Sequence, residues 1–257
     1  MDRIELSKQK LSKLLGEAPS SKGSLDPEFM DILYRLVFGE VFYQGSLSDK
    51  QRELITIVVL TTNQTLPQLK SHIGIVLNVG LTPVEIKEAI YQCAPYLGFP
   101  KTLNALTQVN EVFKEKKIEL PVESQGRVEE GTRFDEGLKL QVSIFGDIIH
   151  QMNNNAPEDQ KHINECLSAF CFGDIYTRNG LSLKTRELLT FCMISVLGGC
   201  ESQLRGHVRG NLAVGNEREV MISAITHCIP YIGFPRSLNA FRCLNEISPR
   251  KSSGTKE

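Results

Sequence analysis

The sequence predicts an all-α protein made by tandem duplication of one helical unit, and two observations carry that prediction. First, the chain repeats itself: "FGEVFYQGSLSDKQRELITIVVL" from Phe38 corresponds to "FGDIYTRNGLSLKTRELLTFCMI" from Phe172, and "YQCAPYLGFPKTLNALTQVNEVF" from Tyr91 to "THCIPYIGFPRSLNAFRCLNEIS" from Thr226. Second, apolar residues in each copy recur at helical spacing behind recognisable helix-start signals. The offset between copies is 134 at Glu53/Glu187 and 135 from His72/His207 onward, so the second copy has one more residue in the turn between them.

Taken in order, "MDRIELSKQKLSKLL" is an amphipathic helix, and Phe29, Ile32, Leu33, Leu36 and Val37 mark the apolar stripe of a second. Ser48, with Gln51 three residues on, forms a capping box that opens "QRELITIVVLTT". The β-branched "LITIVVL" would suit a strand on propensity; its flanking caps and the lack of a partner strand make it a helix. The next helix carries Leu69, His72, Ile73, Val76 and Leu77 on one stripe and ends at Gly80. Thr82 as N-cap, Pro83 at the first helical position and Glu85 reaching back start another. Pro95, Gly98 and Pro100 must break or kink it, since proline removes a backbone donor and clashes with the preceding turn. Leu103, Leu106, Val109 and Phe113 then mark the closing helix of the unit. The charged stretch 114–132 lacks an apolar period and reads as a linker or a frayed helix end, giving units at 1–117 and 133–257 with 118–132 between them. "RFDEGLKLQVSIFGDIIHQM" adds an amphipathic helix ahead of the second copy.

The 257 residues are 41% apolar and 23% charged, with 29 basic against 30 acidic side chains, an ordinary globular composition without the basic surface that nucleic acid requires. No signal-peptide-like start and no run of about 18 apolar residues is present, so no membrane partner and a cytoplasmic location are expected. Seven scattered cysteines, none in a C-x-x-C, suit free thiols in a reducing compartment, and no metal site is indicated.

His72 faces the apolar side of its helix, and His207 sits identically among Leu204, Val208 and Leu212. An unpaired imidazolium there would cost several kcal/mol, so each ring is neutral, hydrogen-bonded or paired with a carboxylate. Glu53 and Glu187, on the preceding helices, are the candidate partners; a backbone carbonyl is the plainer alternative. Among the pairs kept identical between copies, Arg52/Arg186 and Gln68/Gln203 are candidate substrate-binding residues, because a pocket needs polar groups converging on an apolar wall. Cys200, seven residues before His207 at a helix start, is a candidate redox thiol, since such a position can lower a thiol pKa.

With R-E-L, L-x-x-H and Y-x-G-F-P-x-x-L-N-A in order in both halves, the chain resembles the carboxymuconolactone decarboxylase family, of alkylhydroperoxidase D-like fold, twice over. That resemblance implies decarboxylation of a small carboxylated lactone without metal or organic cofactor. His72 and His207 would be general acids, Glu53 and Glu187 would orient the rings, and Arg52 or Arg186 would receive the substrate carboxylate. The same family includes thiol peroxidases, which pair Glu and His with a C-x-x-C. Cys200 matches the first cysteine of that motif, Gln203 replaces the second, and Thr65 and Gln68 replace both in the first copy. A non-catalytic small-molecule-binding scaffold is the third reading. Family members resemble six-unit rings, so a fused pair implies a homotrimer.

Overall fold

The computed structural model describes residues 2–16 and 20–250, and every regular element in that range is helical. The first unit comprises α1 (Arg3–Leu15), α2 (Pro27–Gly39), α3 (Asp49–Asn63), α4 (Leu66–Asn78), α5 (Pro83–Tyr91), α6 (Ala94–Leu97) and α7 (Phe99–Glu115). The second comprises α8 (Arg133–Phe145), α9 (Ile148–Asn154), α10 (Lys161–Cys166), which continues as a wide π-type turn series Leu167–Tyr176, then α11 (Leu183–Leu197), α12 (Glu201–Ala213) and α13 (Arg218–Ile247). Both expected capping boxes form, at Ser48/Gln51 and at Thr82/Glu85, and each fixes the start of its helix.

Helices α3 and α11 lie together at the centre. Arg52 through Thr62 and Arg186 through Val196 are buried without interruption. This explains why "LITIVVL" lacks an amphipathic stripe: a helix covered on all sides has no polar face to display. One hydrophobic core runs through both units, joining Ile55, Val58, Phe113 and Val109 to Leu189, Phe191, Met193 and Leu244. The segment expected as a linker carries no helix between Lys117 and Gly131, yet Ile118, Leu120 and Val122 pack on this core. Its end is tied down where Asn179 donates its backbone N–H to the Gln125 carbonyl.

The two copies break their late helices at one device. Gly98 and Gly233, equivalent residues in "GFP", have φ of 80° and 73°, a left-handed conformation that a side chain would strain. The flanking prolines complete each kink. The copies also share a close helix contact. A Cβ on Gly39 would come within 2.1 Å of the Arg3 carbonyl oxygen, and one on Gly173 within 2.1 Å of the Arg133 carbonyl oxygen. Arg3 pairs with Glu40 and Arg133 with Asp174 beside those glycines, so α1 packs on α2 much as α8 packs on the π-type segment.

Three details of the expected pattern differ. Phe29 and Ile32 are 66% and 56% exposed, because α1 covers only the C-terminal part of α2, at Val37 and Phe38. Leu103 is 58% exposed, because the buried face of α7 runs through Thr102, Ala105, Val109, Val112 and Phe113. The helix ahead of the second copy is two helices, parted at Gly146. Among the described residues no helix is long and apolar enough to cross a membrane.

Candidate functional site

Between α3 and α4 lie only Gln64 and Thr65, and between α11 and α12 lie Gly198, Gly199 and Cys200, which accounts for the extra residue of the second copy. Turns this short make each pair antiparallel neighbours. In both copies the register sets the histidine against the glutamate. His72 Nδ1 lies 2.9 Å from Glu53 Oε2, and His207 Nδ1 lies 2.9 Å from Glu187 Oε2. Each carboxylate is fully buried, whereas the rings keep 14% and 13% of their surface exposed. An ionised carboxylate at Nδ1 holds the proton on that nitrogen and leaves Nε2 as the atom that exchanges protons with a ligand.

Each pair is completed from the opposite unit. Tyr231 of α13 sets its ring edge-on to His72 at 6.2 Å between centroids, and Tyr96 of α6 does the same to His207 at 5.9 Å. Thr56 and Thr190 stand one helical turn beyond the glutamates. Thr56 Oγ1 is 2.9 Å from His227 Nε2 and 3.4 Å from the Tyr231 hydroxyl. In the second copy Gln92 takes the place of His227 and donates to Thr190 Oγ1 at 3.2 Å. Tyr176 then donates to Glu187 Oε1 at 2.7 Å, and its oxygen also lies 2.8 Å from Thr190 Oγ1 and 3.2 Å from the Tyr96 hydroxyl. Burial raises the pKa of Tyr96 and Tyr176 well above the ordinary tyrosine value, with the Glu187 charge adding to it, so both remain protonated donors. Burial likewise pushes the Cys171 thiol, 3.6 Å from the Tyr96 hydroxyl, up to about 12.

His227 is the contrasting histidine. Burial first, and then the positive charge of Arg52, lower its pKa to about 3, and its Nδ1 has no partner. The unfolded chain therefore takes a proton near pH 6.5 that the folded protein refuses. Stability from this group is complete above about 6.5 and is lost as pH falls toward 3, with a slope of up to about 1.4 kcal/mol per pH unit. His227→Gln, which installs the residue found at the equivalent position 92, is expected to flatten the fall in denaturation midpoint between pH 6.5 and 4.5. An unchanged slope would remove His227 as its source.

The arginines are not where a substrate could reach them. Arg52 is 1% exposed and donates from Nε to the Leu47 carbonyl, from Nη1 to Val41 and from Nη2 to Gln44, fastening the loop ahead of α3. Arg186 is fully buried. Its Nη2 donates to Glu88 Oε2 at 2.8 Å and to the carbonyls of Arg178 and Asn179, and its Nη1 donates to Gln92 Oε1 at 2.9 Å. Adjacent helix positions diverge by about 100°, so placing the glutamates toward the histidines turned the arginines toward fixed protein oxygens. Gln68 and Gln203 are exposed on α4 and α12, and the Gln203 side-chain oxygen accepts from Ser202, so neither joins its histidine. Cys200 is half-buried at the start of α12, and all seven cysteines are free. Among the described residues no group of three or more His, Cys, Asp or Glu side chains is placed to hold a metal ion.

A cleft of about 1110 Å³, lined among others by Arg127, Lys139, Leu140, Tyr176, Arg178 and Asn179, touches the second site only through Tyr176 and includes neither Glu187 nor His207. Tyr96, Tyr231, Tyr176, Thr190 and Gln92 were not singled out as site residues from the sequence. The signal available was the identity of Tyr96 and Tyr231 at equivalent positions, which offers a polar group where packing alone would accept phenylalanine.

Fold and site together define a two-unit helical protein with a Glu–His pair at each of two seams between the units. The Carboxymuconolactone decarboxylase family matches residues 27–111 and 163–246, and the chain belongs to that family. The chain is 34% identical over 116 residues to 4-carboxymuconolactone decarboxylase of Acinetobacter baylyi, a match covering 45% of this chain and 86% of that protein. It is 29% identical over 108 residues to the nitrosuccinic acid decarboxylase NpaB of Metarhizium robertsii, covering 42% of this chain and 75% of that one. A crystal structure of a protein provisionally described as a gamma-carboxymuconolactone decarboxylase subunit, from Burkholderia xenovorans, superposes with a TM-score of 0.54. At 20% identity, covering 94% of this chain and 96% of that one, this is a likeness of fold.

Proposed function

We propose that this chain is a decarboxylase of a small carboxylated lactone or a related carboxylic acid, working by general acid–base chemistry from its own side chains. The single observation that carries this reading is the pairing, at 2.9 Å in both copies, of a fully buried glutamate with a histidine whose outer edge is open. Loss of carbon dioxide breaks a carbon–carbon bond and leaves its electron pair on the ring, delocalised toward the lactone oxygen. The intermediate then needs a proton on carbon and a donor facing that oxygen. Nε2–H of His72 or His207 supplies the proton, Glu53 or Glu187 balances the charge on the ring, and the proton is regained from water. Two relatives named as decarboxylases support the reaction class. The missing second thiol beside Cys200 argues against a dithiol peroxidase cycle, which needs an attacking and a resolving sulfur.

The test is incubation with 4-carboxymuconolactone in deuterated water. Release of carbon dioxide, with one solvent deuterium bound to carbon in the product ring, is the expected result. No release above the uncatalysed rate, for this lactone and for a panel of related small acids, would overturn the proposal.

A further inference from the structure

We infer that the duplication has left two unequal sites, and that Tyr176 is the positioning residue that makes the second, at His207, the more active; the catalytic part of this inference rests on the decarboxylase reading above. The copies can be compared atom by atom. Both oxygens of Glu187 are held, Oε2 by His207 and Oε1 by the Tyr176 hydroxyl. Tyr176 is in turn braced by Thr190 and Tyr96, Gln92 braces Thr190, and Arg186 braces Gln92. The links from Glu187 through Tyr176, Thr190 and Gln92 to Arg186 are buried, so the carboxylate is held in one orientation, and with it the ring that Glu187 holds.

At the equivalent place in the first copy stands Phe42, which has no hydroxyl. Glu53 Oε1 is buried there without any partner, and so is Nδ1 of His227, which replaces Gln92. Two of the four buried side-chain polar atoms left unpartnered among the described residues thus belong to the first site. A buried carboxylate oxygen with no donor is left unsatisfied, and nothing holds the group against rotation. The ring resting on Glu53 is correspondingly less fixed. Sequence comparison of the copies shows only a Phe/Tyr exchange; its meaning comes from where the hydroxyl lands.

The experiment exchanges the two residues and reads both sites separately. Phe42→Tyr and Tyr176→Phe are made in the full chain, and the ring Nδ1–H protons of His72 and His207 are followed by NMR, a readout independent of any substrate. The His207 signal is expected to broaden or vanish in Tyr176→Phe, and the His72 signal to sharpen in Phe42→Tyr. In turnover, His207→Asn is expected to lower kcat at least about tenfold further than His72→Asn does, and Tyr176→Phe to lower kcat about tenfold with KM little changed, as when an orienting group is lost. Equal losses from the two histidine variants, or a larger loss from His72→Asn, would overturn the inference. Unmoved ring signals in Tyr176→Phe would do the same. If the chain turned over no substrate, the decarboxylase reading would fall while the NMR comparison still decided whether Tyr176 positions Glu187. Tyr176→Phe carries the test alone if Phe42→Tyr does not fold.

Discussion

The double substitution His72→Asn with His207→Asn is expected to lower turnover of a carboxylated substrate by about 10²–10⁴-fold, the usual contribution of a positioned general acid or base. Asparagine preserves a polar contact with the glutamate and has no proton to deliver at the outer edge. The fold should survive, because each ring is already partly exposed and the buried carboxylate can keep a hydrogen bond from the amide. Circular dichroism and the denaturation midpoint check the first point, and steady-state carbon dioxide release checks the second. Turnover unaffected in a folded double variant would remove both histidines from the chemistry.

The largest stability effect is expected at Arg186. Methionine there should destabilise the protein by roughly 3–5 kcal/mol, because it breaks a buried ion pair and leaves several buried acceptors without their donor. Glu88, 2% exposed, holds Arg186 at 2.8 Å and would keep only Arg178, at 2.9 Å. Glu88 belongs to α5 of the first unit and both arginines to the second, so this cluster ties the duplicated halves together. Gln92 and the carbonyls of Arg178 and Asn179 would lose their donor as well. Urea titration measures the loss. A cost under about 1 kcal/mol would show that the surroundings relax around the vacancy. Arg186 anchors no substrate, but it braces Gln92 in the network behind Glu187, so the folded variant is expected to lose some turnover at the His207 site as well as stability.

Much of this was legible in the chain. The repeat from Phe38 and Phe172 revealed the duplication, and Ser48/Gln51 and Thr82/Glu85 marked helix starts that the structure reproduces. Periodicity put His72 and His207 inward, and their place on the preceding helices made Glu53 and Glu187 the candidate partners. These properties belong to a single helix and its caps, where local spacing decides the outcome.

What the sequence by itself determined is therefore the helical units, their duplication and the family. Only the tertiary structure decided that Glu53 meets His72, because that depends on how α3 and α4 slide along each other. It also decided that Arg52 and Arg186 point into the protein, that Tyr96 and Tyr231 cross to the opposite unit, and that Glu187 is held where Glu53 is left bare. The physical reason is the same in each case. A side chain's face is fixed by its own helix, but its partner is fixed by the register between packed segments, some consecutive in the chain, as α3 and α4 are, and some more than a hundred residues apart, as α3 and α11 are.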